Sequence, residues 1–197
     1  RGNAGNTAIK GRKTALIFLR GTPPVDGLIR SDASGRDPLD GSSRRLWQQR
    51  MGQIFAAYGR ANLDAQEIRL IRLAGPASQL VSWRRQPGER DEALFDQGVD
   101  PAWISLLNDI RSTLLRGEAW AHPIETQNRP SEGKSDESPR QLLRYSMPVL
   151  DGEKLFGVLE MDIDISARFS AEALRLPWGG SLHILSRDER WLSRQGV

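Results

Sequence analysis

The chain has 197 residues, 38% of them hydrophobic and 27% charged, with 28 Lys+Arg set against 25 Asp+Glu and no cysteine. That is enough apolar material to bury a core, so wholesale disorder is excluded, and the interspersed, nearly balanced charges exclude a basic nucleic-acid stripe. The missing cysteine excludes disulfides, thiol catalysis and thiolate metal sites, and no run approaches the roughly 18 apolar residues of a membrane span.

Taken in chain order, Arg1 to Gly11 is polar and Gly/Asn-rich and is expected to be frayed. The run "TALIFL" supports a short helix over Thr14–Arg20. Thr22-Pro23-Pro24 then stops any helix, and "SDASGRDPLDGSS" reads as a loop with turns at Asp37-Pro38 and Asp40-Gly41. Ser42 or Ser43 can cap a helix from Arg44 to Ala61, whose apolar residues Leu46, Trp47, Met51, Ile54, Phe55 and Tyr58 recur at spacings of three and four.

The period then changes. "QEIRLIRLAG" and "QLVSWRRQPG" are strand-like and flank a Gly75-Pro76 turn. "DPAWISLLNDIRSTLLRGE" is a helix ended by Gly117, "AWAHPIET" a strand, and "QNRPSEGKSDESPRQ" a loop poor in apolar residues. "LLRYSMPVL" and "KLFGVLEMDIDI" pair across Asp151-Gly152. A short helix over Ala167–Leu174 and a strand "SLHILSR" close the chain. Strands joined as hairpins, with the helices grouped outside them, predict an α+β fold built on an antiparallel sheet flanked by helices.

Chemistry-bearing residues are few. His122 alternates with Trp120 and Ile124 on one strand face, so Trp120 and His122 either line a small-molecule pocket or belong to a half-buried strand. His183 has no evident partner. Two histidines with no Glu at ligand spacing speak against zinc, and no G-x-S-x-G elbow is present. Nothing in the motifs calls for a cofactor. Alternation sends Leu142, Arg144 and Ser146 one way and Leu143, Tyr145 and Met147 the other. Arg144 is the natural fork for a carboxylate, or else half of a sheet-edge ion pair. Asp162 and Asp164 share a face with Phe156, Val158 and Glu160. Trp83, with Arg84 and Arg85, offers an aromatic wall and a cation. Arg69 and Arg72 fall on opposite faces of their strand, so at most one points inward.

Several of these segments together resemble the extracytoplasmic PAS-like sensor modules, the PDC or Cache domains, of bacterial transmembrane histidine kinases and GGDEF diguanylate cyclases. The matching residues are Thr22-Pro23-Pro24, Gly27 with Ile29, Asp40-Gly41, Trp47, Ile54-Phe55 and Ile68-Arg69, followed by "LRYSMPVLD" and "LFGVLEMDIDI". The resemblance runs from about Thr14 to the end. It implies a PAS-like fold with an N-terminal helix pair. Residues 1–13 would be a disordered or truncated stalk, 14–176 a membrane-distal sensor module, and 177–197 the start of a second module or a C-terminal extension. The first residue, Arg1, and the unfinished pattern at Val197 fit an excised piece of a larger protein.

The function the resemblance implies is binding of a small molecule, anionic or amino-acid-like, in a periplasmic domain of a membrane-anchored homodimer. The domain itself would not be catalytic. In amino-acid sensors of this kind an Asp late in the closing strand receives the ligand's amino group, which points to Asp162, with Asp164 as the alternative. The rest of that motif, a Tyr-Arg-Trp-Tyr-Asp series, is not visible. The candidate ligand-binding residues are therefore Trp120, His122, Arg144, Tyr145, Asp162, Asp164, Trp83 and Arg69. Two rival readings remain: a ligand-free docking module, with Trp120 and Tyr145 packed together in a filled pocket, and a small hydrolase built on His122.

Overall fold

A computed structural model describes residues 3–86, 93–109, 114–116, 120–124, 142–165, 182–185 and 191–195. Its elements are α1 (Asn3–Arg20), α2 (Pro23–Arg30), α3 (Arg44–Ala61), β1 (Ala65–Arg72), β2 (Ser78–Arg84), β3 (Ala93–Gln97), α4 (Pro101–Asp109), β4 (Trp120–Ile124), β5 (Leu142–Asp151), β6 (Lys154–Asp164), β7 (Leu182–Leu185) and β8 (Trp191–Gln195). Strands β1 to β6 form one six-stranded sheet in the order β3-β2-β1-β6-β5-β4, antiparallel throughout. β7 and β8 form a separate antiparallel pair. The expected helix over Ala167–Leu174 and the "QNRPSEGKSDESPRQ" loop lie outside the described residues, as does part of the helix expected to run to Gly117.

The two sheet faces differ. One carries Ile68, Leu70, Val81, Trp83, Tyr145, Met147, Leu159 and Met161, all buried in the main core with Leu16 and Leu19 of α1 and Met51 and Phe55 of α3. Close approach is built into that contact: a Cβ on Gly59 of α3 would overlap the Trp83 indole. The other face carries a smaller cluster, in which Ile71, Leu155 and Val158 meet Trp103 and Leu107 of α4.

Among α1 to β6, three elements differ from expectation. α1 begins at Asn3 rather than Thr14 and runs through Gly5 and Gly11. Its anchorage is tertiary: Leu16 and Leu19 are fully buried, and Arg12 bonds Tyr58, Asn62 and Asp64. Such packing outweighs the roughly 1 kcal/mol that a helical glycine costs. The Pro pair ends one helix and opens another, because Pro23 and Pro24 occupy the first turn of α2, where an N–H has no intrahelical acceptor to lose. β3 is an edge strand of only five residues, Ala-Leu-Phe-Asp-Gln, too short for alternation to show; Asp96 in it takes φ 52° and accepts hydrogen bonds from Gln48 and Arg44.

The corner between α1 and α3 is held by one carboxylate. Arg30 donates to Asp37 through Nε at 2.9 Å and Nη2 at 2.6 Å, and the Leu39 N–H donates to the same side chain at 3.0 Å. Asp32 in this corner also receives Arg72 Nη1 at 3.0 Å, which ties the corner to the end of β1. The Arg30 hydrogen bonds hold the Asp37 carboxyl down at about 2 from the ordinary 3.8. A depressed carboxylate stabilises the fold above its ordinary value and loses that contribution as pH falls through the depressed one. Asp37→Asn is therefore expected to lower the melting temperature at neutral pH. Its deficit relative to wild type should shrink as pH falls from 3.8 toward about 2, which thermal denaturation across that range checks.

Candidate functional site

The α4 side of the sheet carries polar residues across its middle strands. Pairing aligns its residues in two rows that cross five strands. One row runs Ser82–Arg69–Glu160–Ser146–Trp120 and the other Arg84–Glu67–Asp162–Arg144–His122, from β2 through β1, β6 and β5 to β4. Directly opposed residues on one face are close enough to pair. The Arg144 guanidinium donates to Asp162 through Nε and Nη2, each at 2.6 Å, a two-pronged fork. Arg69 Nε donates to Glu160 Oε2 at 2.5 Å, and Ser146 Oγ donates to Glu160 Oε1 at 3.1 Å. Arg84 reaches both oxygens of Glu67 at 3.2 Å.

Trp103 of α4 roofs the cluster. Its ring centroid lies 4.6 Å from the Arg144 guanidinium carbon and 5.7 Å from that of Arg69. These groups are out of water: Glu160 is 0% exposed, Asp162 4% and Arg144 9%. Burial pushes the Glu160 carboxyl above its ordinary value, and the charges of Arg69 and Arg144 oppose that only in part. Burial also works against the Arg144 charge, but the hydrogen bonds and charge of Asp162 outweigh it, so the guanidinium holds its proton more tightly than usual.

A raised carboxyl means that the folded state binds a proton more tightly than the unfolded chain. The contribution of Glu160 to stability is then greatest below 4.5 and declines as pH rises through the raised value. Glu160→Gln keeps an oxygen for Arg69 and an amide for Ser146. The variant should gain on wild type as pH rises above 4.5, as read by paired thermal melts.

Of the residues singled out in the sequence, Arg69, Arg144 and Asp162 are brought together. Trp120 and His122 stand opposite Ser146 and Arg144 in the register of β4. Asp164 closes β6 half-buried, its N–H bonded to the Asp64 carbonyl at 2.8 Å. Trp83 and Tyr145 are corrections. Both belong to the main core on the α1–α3 side, so neither is a wall of this site, and Ala121 rather than Trp120 opposes Tyr145. Arg72 points away to Asp32. Glu160 and Trp103 were not singled out, although strand alternation already placed Glu160 on this face. The fork on Arg144 is also not open: Asp162 fills it.

Among the described residues no three His, Asp or Glu side chains are grouped to hold a metal ion, and no helix is long and apolar enough to cross a membrane. No family model and no curated protein matches the chain. Solved structures do. A domain of a putative sensory box/GGDEF family protein from Vibrio parahaemolyticus superposes with TM-score 0.55 at 14% identity, covering 84% of this chain and 57% of that one. The extracellular domain of a putative histidine kinase superposes with TM-score 0.56 at 16% identity, covering 84% of this chain and 54% of that one. The chain thus spans little more than half the length of these structures. With its antiparallel sheet, N-terminal helices on one face and α4 on the other, the chain has the fold of the extracellular PAS-like (PDC/Cache) sensor domains.

Proposed function

We propose that the chain is a periplasmic sensor domain of a membrane-anchored bacterial receptor, not itself catalytic, which binds a small molecule on the α4 side of its sheet. A histidine kinase or diguanylate cyclase output would lie outside it. The observation that carries this reading is the cluster of Arg144, Glu160 and Asp162, buried with Arg69 beneath Trp103. A buried ion pair is often no more stabilising than apolar packing, so its presence on one sheet face points to recognition.

The route of a signal is short. β6 carries Glu160 and Asp162, and its Asp164 N–H bonds the Asp64 carbonyl, while the Asp64 carboxylate bonds Arg12 of α1. A ligand that prefers one position of β6 would thereby bias α1. The outer face of α1 exposes Ile17 at 46% and Phe18 at 64%, which suits pairing with the α1 of a second copy.

A thermal-shift screen against organic acids, amino acids, amines and purines tests the reading. A true ligand at 100 times its Kd adds about 2.7 kcal/mol of stability. One observation favours the docking-module alternative: Arg144 and Asp162 already satisfy each other. A flat screen would shift the weight to that alternative.

A further inference from the structure

The outward face of α3 is basic. The helix has four arginines among its 18 residues and no Asp or Glu. Arg44 pairs with Asp32 and Asp96, whereas Arg45 and Arg60 are exposed and make no ion pair among the described residues. Between this helix and the edge strand β3 lies a groove of about 620 Å³, on the sheet face opposite α4. Gln49, Gln53 and Arg60 line it from α3, and Phe95 from β3. Gly52 meets Ala93 inside it so closely that a Cβ on Gly52 would overlap that of Ala93. Arg60 stands at one end. Toward the other, Arg45 sits over the Phe95 ring, 4.1 Å from its centroid. The two guanidiniums thus flank an uncharged trough. Gln49 and Gln53 are exposed along it, and their amides have no hydrogen-bond partner among the described residues.

We propose that this groove docks an extended acidic segment of a partner protein, apart from any small molecule on the α4 side. Positions 45 and 60 are about 22 Å apart along the helix axis at 1.5 Å per residue. That span exceeds a small anion. An extended chain covers it in about seven residues, whose first and last side chains point the same way. Acidic residues at those two places meet Arg60 and Arg45, each carboxylate matching a guanidinium fork. The glutamine amides serve the peptide groups between them, and small or apolar side chains fit over Gly52 and Ala93. A nucleic-acid strand would call for cations along the whole groove, where this one offers glutamine, glycine and alanine. A lipid surface would call for apolar side chains free to insert, whereas Phe95 is half-buried beneath Arg45.

The probe is a fluorescein-labelled peptide of about seven residues, with aspartate at both ends and alternating threonine and valine between. Fluorescence anisotropy should show saturable binding to the wild-type domain that weakens as salt rises. Asparagine in place of both aspartates should weaken it at least about tenfold, and Arg45→Glu and Arg60→Glu should each do the same. Gln53→Trp, which fills the groove, should abolish binding. All three sites are exposed, so these variants should melt as wild type does. Arg50→Glu makes the same change of net charge on the flank of α3 nearer α2, where Arg50 stacks on Trp47 and Trp47 packs against Gly27. It should bind the peptide as wild type does. No saturable binding, an equal loss in Arg50→Glu, or binding that survives Gln53→Trp would each overturn the proposal. Phosphatidylglycerol vesicles that bind where the peptide does not, with loss in Arg45→Glu and Arg60→Glu, would overturn it in favour of a membrane surface. The small-molecule screen is a separate matter, because Arg69 and Arg144 lie on the other face of the sheet.

Discussion

Asp162→Ala should lower the unfolding free energy by about 3–5 kcal/mol, the cost of leaving one member of a buried ion pair without its partner. Arg144 is 9% exposed and gives two of its donors to Asp162, so the truncation leaves a guanidinium under Trp103 with Glu160, 3.8 Å from its Nε, as the neighbouring carboxylate but without its hydrogen-bonded partner. The double variant Arg144→Met/Asp162→Leu removes both charges and fills a similar volume. It should recover most of the loss, because well-packed apolar residues replace such pairs at little cost. Urea denaturation of the two variants against wild type decides the matter. A double variant as unstable as Asp162→Ala would mean that the pair is needed for the fold, which would weaken the argument that these charges are held for recognition.

Gly157→Ala is the second large effect. At this position β6 passes so close to β1 that an added Cβ would overlap the Ile71 carbonyl oxygen and crowd the Arg72 Cα. Both are backbone atoms in the centre of the sheet, so the strain cannot be relieved by turning a side chain. The adjoining backbone is committed too, since the N–H groups of Leu73 and Ala74 both donate to the Phe156 carbonyl at 2.9 and 3.1 Å. A loss of about 3 kcal/mol, at the upper end for overpacking, is expected in the same denaturation experiment. A loss under about 1 kcal/mol would mean that β1 and β6 can separate locally, which their central place in the sheet argues against.

The helix Arg44–Ala61, the central hairpins and the fold class were legible because periodicity is a local signal, whereas α2 and β3 carried none. Arg44–Ala61 announces itself through Trp47, Met51, Phe55 and Tyr58, and the Asp151-Gly152 turn, with Gly152 at φ 59°, joins two strands whose alternation is plain. Alternation alone also put Arg144 with Ser146 on one face of β5, and Glu160 with Asp162 on one face of β6. What it cannot supply is the register between strands, because a shift of pairing changes every partner. So the closure of Arg144 by Asp162, and the seat of Glu160 between Arg69 and Ser146, appeared only in three dimensions. Tyr145 is a different case. It alternates with Leu143 and Met147, which already marked the core side, and its neighbour Arg144 drew it wrongly into the site. Trp83 was misplaced in the same way, since it alternates with Val81. Trp103 looked like ordinary helix core, and only its stacking over two guanidiniums sets it apart.

The central claim is that a small molecule binds on the α4 side of the sheet, and hydrogen–deuterium exchange tests it most directly. The protein would be compared with and without the compound giving the largest thermal shift. The expected result is slowed exchange in residues 101–109, 142–148 and 158–164, which hold Trp103, Arg144, Glu160 and Asp162, with the amides of α3 little changed. Slowing confined to α2 and α3, with β5 and β6 exchanging as before, would contradict it.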